Sequence, residues 1–337
     1  EWGWRLFTWL KEIYDRDVPN GINRILVCNN IANSLAECGR TAQIRQICQQ
    51  AEALILSMHG LVLRPPAGLE PAADYTFPAD AYTIRYSAAM LAPIVNHSGF
   101  DEGDWIQRTP MKTSLICADE QLTRAHWGEA FFISGQVEHW AREVLGSGTF
   151  PKGTNRGWML SNLSEALLIK AEAYTSLGLH QQALDCYNSI IDEEMRSYGG
   201  RDMHQAITRR ARLLTQLGNA AAVDLEQLRK TIEKRRDNQF ENRDAYQFTQ
   251  LAIAHASHQQ GNRDAALALL AEILESTQTS SYTFLRIEAL RVQIECALAD
   301  GQIDGIENAL IEIIELARSK GLNNLEPTLY ELYAQYL

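Results

Sequence analysis

Residues Leu167-Leu-Ile-Lys-Ala171-Glu-Ala-Tyr174-Thr-Ser-Leu-Gly178-Leu-His-Gln-Gln-Ala183-Leu-Asp-Cys-Tyr187-Asn-Ser-Ile190 set large apolar side chains at helical spacing on both sides of one glycine. Small residues, Ala171 and Ala183, stand where two helices must approach closely. Glycine reaches positive φ without a Cβ clash, which makes it the usual residue just past a helix end. The stretch therefore predicts helix, glycine turn, antiparallel helix.

The same arrangement recurs. Gly39, Gly135, Gly178, Gly218, Gly261 and Gly301 each follow an apolar helical pattern and precede another, and the last five are spaced 43, 40, 43 and 40 residues apart. A fixed period of this length marks a repeat array, in which each unit buries its apolar face against its neighbours. Leu167, Ala171, Tyr174, Gly178, Ala183, Tyr187 and Ile190 follow an order of bulky, small, aromatic, glycine, small, aromatic and small, with Ile190 large at the last place. This resembles the tetratricopeptide repeat. Trp127, Gly128, Phe131 and Gly135 match its first half, Ala254, Gly261, Ala266, Leu270 and Ile273 match a third copy, and Ala32, Leu35, Gly39, Ile44, Cys48 and Ala51 a fourth. The copies at Gly218 and Gly301 are weaker, with Gln227 and Ile306 off the pattern. Because the period exceeds the family's usual repeat of about 34 residues, the chain is similar to the longer-repeat branch, including the sensor arms of MalT-type signal-transduction ATPases and kinesin light chains. The resemblance implies an all-α, right-handed superhelical solenoid of antiparallel helix pairs.

Boundaries follow from where the rhythm holds. Residues 1–20, with Trp2, Trp4, Phe7 and Trp9, read as an N-terminal capping helix; an interfacial anchor is the alternative, but Lys11, Arg16, Glu12, Asp15 and Asp17 give mixed charge rather than a basic face. Residues 21–60 form a first repeat. Residues 61–118 are irregular, since four prolines between Arg64 and Pro78 prevent a continuous helix, with helices expected over 79–95 and near 111–118. Residues 119–337 form the main array and a C-terminal cap. A chain that opens on Glu1 rather than methionine is expected to be a fragment of a longer polypeptide.

Composition narrows the chemistry. A net charge of −11 disfavours nucleic-acid binding by phosphate neutralisation. Six scattered cysteines without a Cys-x-x-Cys pair suggest core thiols in a reducing, cytoplasmic compartment. No apolar run is long enough to span a membrane. The loop Gly146-Ser-Gly-Thr-Phe-Pro-Lys-Gly-Thr-Asn-Arg-Gly157 has the ingredients of a phosphate cradle, but its order is Lys152-Gly153-Thr154, Pro151 lacks an N–H, and a helix rather than a strand precedes it. It reads as an inter-repeat connection, with Ser161 or Asn162 as the next N-cap. His255-x-x-His258 lacks both a third ligand and the glutamate of zinc proteases. A hydrolytic centre would have to lie within Arg64 to Ser114. No catalytic residue, metal or cofactor is expected.

The resemblance implies where binding occurs. In the family, ligand-facing side chains sit on the first helices, and the ninth positions here are Asn33, Glu129, Glu172, Arg212, His255 and Glu295, with His258 one turn beyond His255. Spaced by about 10 Å, the helix-packing distance, they predict a polar concave track for a peptide or protein. Between Arg196 and Arg236 ten basic residues face four acidic ones, whereas from Asp264 onward 12 acidic face four basic. The expected role is a non-catalytic interaction scaffold or sensor arm, its partner a protein, a peptide or an adjacent effector domain. The alternative is a small-molecule regulatory sensor with an apolar pocket lined by Phe132, Ile133, Leu168 and Phe248. Arg212→Glu is expected to weaken partner binding while barely altering folding.

Overall fold

The computed structural model describes residues 125–150, 154–192, 200–236, 243–277, 283–302, 304–320 and 325–337, together with Leu322 and isolated positions between Cys28 and Leu122. The capping helix, most of the first repeat and of the irregular segment, Asn33 and Lys152 lie outside the described residues. Within them the protein is all-α, with no strand. The helices are α1 (Trp127–Ser147), α2 (Arg156–Ser176), α3 (His180–Ile191), α4 (Gly200–Gln216), α5 (Leu225–Arg236), α6 (Arg243–Gln259), α7 (Arg263–Thr277), α8 (Thr283–Ala299), α9 (Ile306–Ser319) and α10 (Glu326–Tyr336); a 3-10 turn (Ala220–Ala222) precedes α5.

One turn geometry joins most pairs. Gly178, Gly218, Gly261 and Gly301 have φ of 73°, 72°, 91° and 74°. At each, the next residue donates its N–H back five residues: Leu179 to Tyr174 at 2.9 Å, Asn219 to Leu214 at 2.8 Å, Asn262 to Ser257 at 2.8 Å and Gln302 to Ala297 at 2.9 Å. These bonds satisfy carbonyls that a helix end would otherwise leave unpaired.

Gly135 does not make such a turn. It is buried in the interior of α1, which runs 21 residues from Trp127 to Ser147. The helical period continues past it in Val137, Trp140, Ala141 and Val144, all buried. Burial of that stripe outweighs the cost of glycine in a helix, about 1 kcal/mol. The turn lies ten residues earlier instead, at Ala125, whose φ is 62°. His126 N–H reaches Gln121 O at 2.9 Å, the bond seen after each turn glycine. The turn therefore precedes α1, which is one continuous helix rather than a helix–turn–helix.

The described residues divide into two compact units, the first reaching Cys186 and including Asp192–Asp202, the second comprising Tyr187–Ile191 and Met203–Leu337. In the first, α1 packs on α2 around Phe131, Phe132, Ile133, Val137, Trp140, Met159 and Ile169, with Met111 and Leu115 contributing from before the turn. In the second, α6 packs on α5 and α7, α8 on α6, α7 and α9, and α10 on α8 and α9. Leu251, Ala254, Leu270, Ile273, Leu285 and Val292 form one core, and Ile294, Ile306, Leu310, Ile313, Leu329 and Leu332 the next. Each large side chain fully buried in this way contributes about 1.5–3 kcal/mol. The small positions read from the sequence, Ala171, Ala183, Ala254 and Ala266, are all buried.

The glycine-rich loop ends one helix and starts another. Gly148, at φ 65°, closes α1 by donating to Val144 O. Asn155 caps α2, its side chain accepting from Trp158 N–H at 2.8 Å. That replaces the expected cap at Ser161 or Asn162, which lie one turn and more inside the helix. Asn162 instead donates to Trp158 O at 2.8 Å, a local bond that an interior helical position permits.

Candidate functional site

Charged residues on the buried side of a helix need partners, because an isolated ion loses far more hydration than a hydrophobic surface returns. In the second unit, α8 carries Glu288, Arg291 and Glu295 on a face otherwise filled by Leu285, Ile287, Ala289, Val292 and Ile294. Their spacing of three and four residues places the three side chains in line along the helix. Arg291 is 1% exposed and Glu288 2%. Arg291 donates to both oxygens of Glu288, at 3.3 and 3.2 Å, and to Glu295.

The neighbouring first helices complete the cluster. Arg212 of α4 donates to Glu288, and its guanidinium lies 5.8 Å from the Phe248 ring centre. The Gln216 amide, with its oxygen toward α8, accepts from the two terminal nitrogens of Arg291 at 3.3 and 3.2 Å. His255 of α6 places Nε2 3.2 Å from Glu295. One turn on, His258 Nε2 is 3.1 Å from Asp300, whose other oxygen meets Arg263 at 3.0 Å.

Burial first, then the positive charges of Arg291 and Arg212 and the nearby His258, push the His255 pKa down to about 3. The Glu295 carboxylate beside His255 is itself engaged by Arg291. His255 is therefore a neutral ring at pH 7, and the cluster balances two guanidiniums against two carboxylates.

Of the positions predicted to line a track, Arg212, His255 and Glu295 are thus brought together, and each is engaged by another residue of the same unit. His258 joins Asp300 rather than an open surface. Glu129, in the first turn of α1, and Glu172 of α2 are half-buried in the first unit. The spacing of Glu129 from Gly135 no longer defines a register, since that glycine is not a turn, whereas Glu172 keeps its place six residues before the turn at Gly178. Glu288 and Arg291 escaped the counting rule, although two charges on the apolar stripe of α8 were the available signal.

The first unit holds a smaller ionic group. Lys170 donates to Glu138 at 2.6 Å and lies 4.8 Å from the Phe131 ring centre, while Arg142 donates to the other Glu138 oxygen at 2.8 Å. Burial alone raises the Glu138 carboxyl, but Lys170 and Arg142 outweigh it and hold its pKa below the usual value. Phe132, Ile133 and Leu168 are buried in this unit, and Phe248 rests on Phe284 in the other, ring centres 5.6 Å apart.

Burial pushes the thiols of Cys186 and Cys296 up to about 11 and 12, so both remain protonated at neutral pH. Among the described residues no group of three or more His, Cys, Asp or Glu is placed to hold a metal ion, and no helix is long and apolar enough to cross a membrane. No family model and no curated protein matches the chain.

Proposed function

We propose that this chain is a non-catalytic scaffold or sensor arm of the tetratricopeptide type, wound as a right-handed solenoid in the cytoplasm, and that it binds a protein or peptide. The repeated left-handed glycine turns, 40, 43 and 40 residues apart, support the repeat reading. The observation that carries the binding role is the outer surface of α7 and α9. Their buried stripes, Ala266, Leu270 and Ile273 against Leu310, Ile314 and Ala317, correspond at an interval of 44 residues. At the matching outward place stand Leu267, 44% exposed, and Ile311, 43% exposed. Asp264, Glu272 and Glu275 are exposed on α7, and Glu307, Glu312 and Glu315 on α9.

An aliphatic contact set among carboxylates suits a partner helix with an apolar stripe edged by lysine or arginine. Attraction between the two is long-ranged at low salt, while the buried aliphatic contact supplies affinity. The concave positions are less suited, because Arg212 already engages Glu288, and Glu295 already meets His255 and Arg291. Fluorescence anisotropy with a labelled leucine–lysine amphipathic helical peptide tests the reading, a leucine–glutamate peptide serving as control. Binding of the lysine peptide alone, weakened about tenfold by Ile311→Glu, is the expected result, as for loss of a central contact. Equal binding of both peptides, or indifference to Ile311→Glu and Leu267→Glu, removes this surface from consideration.

A further inference from the structure

Arg212 and Glu288 belong to α4 and α8, which the chain separates by three intervening helices. In a repeat array each unit ordinarily contacts only its neighbours, so local opening propagates or stops at each interface. Here two residues of α4 reach past the adjacent first helix. Arg212 passes the Phe248 ring of α6 to meet Glu288, and Gln216 meets Arg291 at 3.2 and 3.3 Å. The intervening helix is tied in as well, through the Thr208 and Thr249 hydroxyls at 3.0 Å and through His255 against Glu295 at 3.2 Å.

The placement of the charges sets how strongly this link acts. Exposed ion pairs contribute little, because water and salt screen them and two long side chains must be ordered. Glu288 and Arg291 are shielded from water, so separating Arg212 from Glu288 leaves a buried carboxylate with only part of its compensation. Any bending or local unfolding that moves α4 away from α8 carries this cost. We infer that Arg212, Gln216, Glu288 and Arg291 form a strap that couples α4 directly to α8, so that three successive helix pairs open and close as one body. The strap stiffens the segment on its first-helix side whichever partner the protein carries.

Hydrogen exchange of the full chain, followed by mass spectrometry, tests the coupling. Glu288→Gln keeps side-chain size and removes the charge. Amides of α4 and α8 are expected to exchange about tenfold faster, and by the same factor, although α4 carries no substitution. Acceleration confined to α8, with α4 unchanged, overturns the strap. Arg212→Lys covers the case in which Glu288→Gln does not fold: it keeps the charge but loses the planar fork, and acceleration must then reach α8. A double Arg212→Gln, Glu288→Gln variant is expected to exchange no faster than the more affected single variant. Acceleration equal to the product of the two single effects refutes a shared interaction.

Discussion

Arg291 is a charged residue buried on α8, and it is tolerated there because every side of its guanidinium is met. Glu288, Glu295 and Gln216 accept from it. The same neighbourhood changes what Arg212 does. As an exposed groove residue it was expected to accept reversal to glutamate without loss of folding, yet its partner is buried Glu288. Arg212→Glu sets a second carboxylate against the first, and a destabilisation of about 3–5 kcal/mol is expected, the cost of breaking a buried pair. Urea denaturation of the variant measures it, and an unchanged midpoint contradicts the pairing.

His255 gives this neighbourhood a pH dependence. Its folded pKa of about 3 lies below the ordinary 6.5, so the unfolded chain takes up the proton first. Its contribution to stability is fully present above the unfolded value and is lost as pH falls from there toward the folded one. The facing groups are Arg212 from α4, His258 and Gln259 from α6, and Arg291 and Glu295 from α8. His255→Gln is expected to flatten the decline in denaturation midpoint between about pH 6 and 4; a slope equal to that of the parent argues against a buried neutral ring.

At the scale of the helix, the turns are the clearest test of local against tertiary control. Four glycines announce their left-handed turns, because the residue type and the conformation agree. Ala125 adopts the same conformation against its own preference, a strain of about 1–2 kcal/mol for an L-residue. Ala125→Gly is therefore expected to raise stability by up to about 1 kcal/mol, the relief being reduced by the added freedom of the unfolded glycine. A melting curve that moves downward rejects this. Within the pairs, Ala171 and Ala266 are buried. Ala266→Trp is expected to cost about 1–3 kcal/mol or to prevent folding, because the helices have no room to separate without losing their other contacts. A variant that melts like the parent removes Ala266 from the interface.

Over the whole molecule the charge is uneven, with a basic stretch from Arg196 to Arg236 ahead of an acidic end. The basic stretch does not offer a free phosphate track throughout. Arg212 is held by Glu288, and Lys230 faces Glu226 at 3.5 Å on an exposed helix surface. Sequence-independent DNA or RNA binding at physiological salt is therefore expected to be weaker than about 1 μM. Tighter binding with a steep salt dependence, measured by filter retention, contradicts the protein-partner proposal.

The sequence by itself determined the helices and their glycine turns, since apolar period and left-handed glycine are local properties written residue by residue. It also placed Ala171, Ala183, Ala254 and Ala266 at close approaches, because side-chain volume alone reserves such positions. It misplaced the turn at Gly135, where only the packing of Val137, Trp140 and Val144 shows that the helix continues. The candidate site was half legible: Arg212, His255 and Glu295 were found by counting from turns, but counting gives register and not occupancy. Whether a polar residue on a helix faces water or a neighbour's charge depends on which helices meet, a non-local matter that no window of sequence contains. Tertiary structure alone decided that Glu288 and Arg291 stand among those three residues, turning the second unit's part of an expected open track into a buried ionic cluster.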